Sequence, residues 1–158
     1  MIERTACFTG HRIIQNEDLP RLKERLGETI SELVGQGVTR FLNGGATGFD
    51  TMAAYAVLTA RNQNQDIKLC MALPCSNQDE RWKPADKQTY KHLLETADEV
   101  IYVSEQPYFQ GCMEQRNIYL VENSGVCVAY MKHGRSGTSQ TVRLARERGL
   151  KVINLADK

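Results

Sequence analysis

The chain has one tryptophan, few aromatic residues of any kind and no excess of either charge, with 20 Lys and Arg against 19 Asp and Glu. That balance excludes a broad field of one sign able to draw in DNA, RNA or an anionic membrane, so any anion must be held locally. No run reaches the roughly 18 apolar residues a membrane helix needs, and the opening MIERTACFTG lacks the apolar stretch of a signal peptide. A soluble, cytoplasmic protein is expected. No G-x-x-x-x-G-K-[ST] occurs and no lysine follows Gly48, which excludes ATP hydrolysis of the Walker A type. The five cysteines form no C-x-x-C, and His11, His92 and His133 show no ligand spacing. A tetrahedral zinc set cannot be assembled from them, and no metal is expected. Cys7, Cys70 and Cys127 sit in apolar runs where a thiol packs as a small hydrophobe, whereas Cys75 and Cys112 fall near expected loops.

What is present is a regular alternation. The runs ACFTG, VTRFLNGG, IKLCMALP, EVIYVSE, GVCVAY and KVINL read as strands, separated by segments of helical period. Leu19, Leu22, Leu26, Ile30 and Leu33 repeat at helical spacing, with Asp18 available as N-cap, Pro20 in the first turn and Gly35 and Gly37 closing the end. Further helices are expected over 47–61, 79–97, 113–123 and 137–149. Strand and helix in strict rotation predict an α/β fold: a single three-layer Rossmann-like domain over residues 1–158, with a mainly parallel sheet and helices on both faces.

Right-handed crossovers bring the carboxyl ends of parallel strands to one edge, where open α/β proteins place ligands. Three glycine-bearing turns fall there: FTGHR, NGGATG and GRSGTSQT. Each alone is an ordinary tight turn. Together, with two of them opening helices, they predict backbone N–H groups converging on an anion such as phosphate. The middle turn nearly fits G-x-G-x-x-G on Asn43, Gly45 and Gly48, but asparagine holds the first glycine position. The strand expected to carry the ribose-binding acid ends MALPCS and offers none, which disfavours an ordinary dinucleotide dehydrogenase.

Individual residues carry two readings each. Thr47 and Asp50 have capping-box spacing, which explains both without a ligand. His11 and Arg12 follow Gly10, where a guanidinium clamps phosphate or simply sits in solvent. Trp82, in the polar stretch NQDERWKPADK, either lids the core or stacks on a nucleobase. Arg116 and Asn117 open the fourth helix, where the arginine is either a surface charge or an anion contact. Ser136 suits an N-cap for the last helix ahead of Gly137 and Thr138. The basic VRLARERGLK reads as a solvated helix face.

The stretches CFTGHR, NGGATGFDTMAA, Gln78 with Trp82, MEQRN and SGT with Thr141, in that order along nearly the whole chain, resemble the YpsA-like family. That family is a branch of the SLOG superfamily, which includes the Lonely Guy phosphoribohydrolases and the Rossmann-like domain of DprA. The resemblance implies a nucleotide-derived ligand, of ADP-ribose, NAD or AMP type, held by Thr9, Gly10, His11 and Arg12 as one wall. Asn43, Gly44, Gly45, Ala46, Thr47 and Gly48 form its floor, joined by Asp50, Gln78, Trp82, Arg116, Asn117, Ser136, Gly137, Thr138 and Thr141.

In the Lonely Guy enzymes an M-x-x-R-K segment and a P-G-G-x-G-T-x-E segment support N-glycosidic cleavage. Here Met113 and Arg116 match the first, but Asn117 replaces its lysine and Gln140 stands at the glutamate position. A neutral amide neither stabilises an oxocarbenium-like sugar nor activates water as a carboxylate does. The expectation is therefore a nucleotide-binding sensor or regulatory protein. The alternative is a phosphoribohydrolase in which Asp50 or Glu114 acts with Arg116. Single-stranded DNA binding, implied by the DprA kinship, is disfavoured by the neutral charge. Exposed faces of the flanking helices leave a homo-oligomer open.

Overall fold

The computed structural model describes residues 1–132 and 137–157. Six strands, β1 (Thr5–Gly10), β2 (Arg40–Asn43), β3 (Lys68–Leu73), β4 (Glu99–Tyr102), β5 (Val126–Tyr130) and β6 (Lys151–Asn154), form one sheet ordered β4-β3-β2-β1-β5-β6. Every pairing is parallel. The intervening helices are α1 (Leu19–Gly35), α2 (Phe49–Gln63), α3 (Pro84–Thr96), α4 (Cys112–Glu122) and α5 (Gly137–Glu147).

Strand alternation divides the core in two. Ala6 and Phe8, Phe41, Leu69, Met71 and Leu73, and Val128 and Tyr130 point to one face, where they meet Leu22, Leu26 and Ile30 of α1, Phe49 and Val57 of α2, and Tyr90 and Leu93 of α3. Their neighbours Cys7, Leu42, Cys70, Ala72 and Cys127 point to the other face and meet Leu120 and Val121 of α4 and Ala145 of α5. The period of two places successive side chains on opposite faces, and both faces are covered. The result is the expected three-layer Rossmann-like domain.

The topology also explains why the helices change face. From β1 the chain steps outward to β4, with α1, α2 and α3 on one side. It then returns past β1 to β5, and a right-handed crossover in that direction puts α4 and α5 on the opposite side. The strand order therefore reverses between β1 and β5, whose register runs from Ala6 against Val126 to Gly10 against Tyr130. A crevice opens at such a switch point, outside the carboxyl ends of the strands.

Two details correct the sequence reading. Asp18 precedes α1 without a side-chain capping bond; its carboxylate instead accepts from Lys132 Nζ at 2.9 Å and Tyr130 Oη at 3.3 Å, pinning the chain beyond β5 to the start of α1. The helix expected from residue 79 begins at Pro84, and the residues before it are turns closed by Glu80 N–H to Asn77 O and Trp82 N–H to Asp79 O. All five cysteines are free and buried, including Cys75 and Cys112. No helix among the described residues is long and apolar enough to cross a membrane.

Candidate functional site

The first two glycine turns lie against each other. A Cβ on Gly48 would stand 2.2 Å from the Arg12 carbonyl oxygen, and Gly48 has φ +74°, so only glycine allows the two backbones to approach. The Phe49 N–H donates to the His11 carbonyl at 3.0 Å. Gly10 in turn leaves space for the Phe49 ring, which a Cβ there would meet at 2.4 Å. The ring stacks on Tyr130 at 6.0 Å and meets Phe8 edge-on at 6.2 Å, giving the switch point an aromatic base.

Asn43 explains the missing fingerprint glycine. Its side chain is fully buried; Oδ1 accepts from Gly45 N–H at 2.8 Å and Nδ2 donates to the Asp50 carbonyl at 2.7 Å. Asn43 braces the turn rather than presenting itself to a ligand. Asp50 accepts from Ala46 N–H at 3.1 Å through Oδ2, and Thr51 Oγ1 donates to Ala46 O at 3.1 Å. The expected capping box of Thr47 and Asp50 does not form: Gly48 is the N-cap of α2, and no side chain caps it. The amides of Gly45, Ala46 and Phe49 are thus engaged by the protein itself.

Arg116 crosses from α4 and is buried. It donates from Nη1 to the Gly44 carbonyl and from Nε to Asn117 Oδ1 at 2.9 Å, and its Nη2 lies 3.8 Å from Met113 Sδ. Gly44 has no room for a side chain because Arg116 Nη1 would stand 2.5 Å from its Cβ. Burial lowers the affinity of this guanidinium for its proton, and the Asp50 carboxylate opposes that. Burial raises the Asp50 carboxyl to about 6, with Arg116, the Ala46 N–H and Arg12 pulling the other way. Asp50 Oδ1 is buried and has no hydrogen-bond partner among the described residues.

A hollow of about 270 Å³ opens over these groups. The end of β1 lines it from Phe8 through Arg12, Ala46 and Asp50 line it from the second turn, and α4 contributes Met113, Arg116, Asn117 and Leu120. Gly137 and Thr138, the first residues of α5, complete it. Residues from the three expected turns therefore share one hollow, at the switch point. Its physical character is mixed. The first turn of a helix carries orphan amides and partial positive charge, Arg12 is exposed at the mouth, and an unpaired carboxyl oxygen waits beneath.

Other expected residues fall elsewhere. Gly44, Gly45, Thr47 and Gly48 shape the second turn without lining the hollow. His11 lines it, but its Nε2 also accepts from Lys132 N–H at 2.9 Å. Gln78 is buried and bridges, donating to Gly44 O at 3.3 Å and Tyr90 Oη at 3.1 Å. Trp82 lies on α3's side of the sheet, edge-on to Tyr90 at 5.0 Å, beside a different cavity. Thr141 bonds back to Gly137 O at 3.1 Å and, with Glu114 and Gln140, lines a groove between α4 and α5 instead. Ser136 lies outside the described residues. Phe8 and Leu120 were not expected in the hollow; their apolar runs gave no sign of it.

The fold and the switch-point hollow define a Rossmann-like α/β domain. The model of the YspA SLOG family, YpsA, matches residues 9–148, and the chain belongs to that family. It is 30% identical over 146 residues to the uncharacterized SPbeta prophage-derived protein YoqJ of Bacillus subtilis, covering 85% of each chain. It is 30% identical over 130 residues to the UPF0398 protein BH1768 of Halalkalibacterium halodurans, covering 80% of this chain and 68% of that one. Among solved structures it resembles DprA of Streptococcus pneumoniae, with a TM-score of 0.66 at 18% identity, covering 95% of this chain and 49% of that one. DprA of Helicobacter pylori, described for its single-stranded DNA binding mode, gives a TM-score of 0.67 at 20% identity, covering 94% and 63%. The chain thus spans about half to two thirds of the DprA chains, and the likeness is one of fold.

Proposed function

We propose that the switch-point hollow binds a nucleotide-derived ligand of the AMP, ADP-ribose or NAD type, and that the protein acts as a sensor or regulatory module. The phosphate would lie at the start of α5 beside Arg12, where helix amides and a guanidinium favour an anion. The sugar would lie over Asp50. One observation carries this reading: Asp50 Oδ1 is buried, has no hydrogen-bond donor among the described residues and belongs to a residue lining the hollow. A buried acceptor without a donor is costly, and a ribose hydroxyl supplies the donor. SLOG membership supports a nucleotide-related ligand.

Thermal-shift titration with AMP, ADP-ribose and NAD tests it. A rise in Tm with at least one, strongly reduced in Arg12→Ala, is expected; no shift with any of the three contradicts it.

The carboxyl of Asp50, raised to about 6, also favours a second reading. A carboxyl titrating near neutrality can hold or release a proton during glycosidic cleavage of a nucleoside 5′-monophosphate. Gln140 and Glu114 lie in the α4–α5 groove and would take no part. Free base released by the wild type and by Gln140→Ala, but not by Asp50→Asn, supports this enzyme; no release excludes it. A nucleic-acid ligand is not set aside by the neutral charge, because H. pylori DprA, of the same fold, is described as binding single-stranded DNA.

A further inference from the structure

We propose a second ligand site, independent of the switch-point hollow, in the cavity between α3 and the turns over 76–82, taking a planar aromatic group that carries phosphate. The two sources of that chemistry are a free nucleotide and a nucleotide of a short single strand.

The cavity lies beside β4, at the far edge of the sheet from β5 and β6. At about 690 Å³ it is more than twice the size of the hollow, and within the range of small-molecule sites, roughly 300–1,000 Å³. Its walls are chemically unlike an ordinary surface dent. Trp82, Tyr90 and Tyr102 supply aromatic surface, and Lys87 and Lys91, one turn apart on α3, supply positive charge. Aromatic faces stack on nucleobases regardless of base identity, and ammonium groups take phosphate.

The aromatic wall is held in place. Trp82 meets Tyr90 at 75° with ring centroids 5.0 Å apart, and the Tyr90 hydroxyl is fixed by Gln78 Nε2, whose second bond goes to the Gly44 carbonyl. Tyr102, at the end of β4, remains 43% exposed. Lys87 and Lys91 form no ion pair among the described residues, so their charge is available to a ligand. Asp79 and Glu95 also line the cavity. They bound the positive patch to the two unpaired lysines and disfavour a long polyanion, so the occupant is a short one.

Trp82 is the single tryptophan of the chain, so its emission reports on this cavity. The full chain is titrated with AMP and, separately, with a short oligodeoxyadenylate. Saturable quenching is expected with at least one probe, weakened about tenfold or more in the surface variant Lys87→Glu/Lys91→Glu and unchanged in Arg12→Ala. Quenching by AMP identifies the free nucleotide as a source, and tighter quenching by the oligonucleotide identifies the strand; either supports the site. No quenching by either probe overturns it. So does quenching that survives the lysine variant, and quenching lost in Arg12→Ala, which would place the ligand in the hollow.

Discussion

Asn43 and Asp50 hold each other across the second glycine turn, the Asn43 side chain donating to the Asp50 carbonyl at 2.7 Å while accepting from Gly45 N–H at 2.8 Å. Asn43→Gly would restore the dinucleotide fingerprint on paper. It would also leave the Gly45 N–H without its buried acceptor, at about 1–3 kcal/mol, and take a second donor from the Asp50 carbonyl, which α2 already engages. The expected outcome is a loss of roughly 1–3 kcal/mol in urea denaturation with no gain in NAD affinity.

Glycine substitutions should separate closed positions from open ones. Gly48→Ala meets the Arg12 carbonyl at 2.2 Å in a positive-φ conformation, and should either fail to accumulate or unfold at much lower urea. Gly27 lies in α1 with nothing within 4 Å of a Cβ, and Gly27→Ala should stabilise by about 0.5–1 kcal/mol. Equal midpoints for the two variants would contradict the contact between the turns.

Arg12 and Arg116 have different tasks although both line the hollow. Arg116 is buried and bonded to Gly44, so Arg116→Ala should cost about 3 kcal/mol or more by stripping Asp50 of its counter-charge. Arg12 is exposed, and Arg12→Ala should change stability by less than about 0.5 kcal/mol while weakening ligand binding. Denaturation and titration of the same two variants check the separation.

Asp50 makes stability depend on pH in a known direction. Its carboxyl is raised in the folded chain from 3.8 to about 6, so the folded state holds the proton more tightly than the unfolded one. The contribution is fully present below pH 3.8 and is lost as pH rises through about 6. The stability of wild type relative to Asp50→Asn should fall across this window by roughly 3 kcal/mol and then level. A flat difference between pH 4 and 7 in paired urea titrations would contradict the buried carboxyl.

The layered architecture was legible because strand alternation is a local pattern. Phe41 and Leu42, or Cys70 and Met71, announce opposite faces by adjacency alone. The meeting of the first two turns with Gly137 and Thr138 at the start of α5 was legible through topology, since parallel strands share one edge. Which amides remain for a ligand was not legible. Asn43, Asp50 and the His11 carbonyl consume the donors of Gly45, Ala46 and Phe49 through contacts that depend on how two turns pack. The place of Trp82 was illegible for a related reason: the turns before α3 carry it to the edge-strand side, and spacing along the chain carries no trace of that.

The most direct measurement is a crystal structure of the protein soaked with AMP at saturating concentration. The expected density places phosphate against Gly137, Thr138 and Arg12, with a sugar hydroxyl within hydrogen-bond distance of Asp50 Oδ1. An empty hollow, or a nucleotide bound only elsewhere on the molecule, would contradict it.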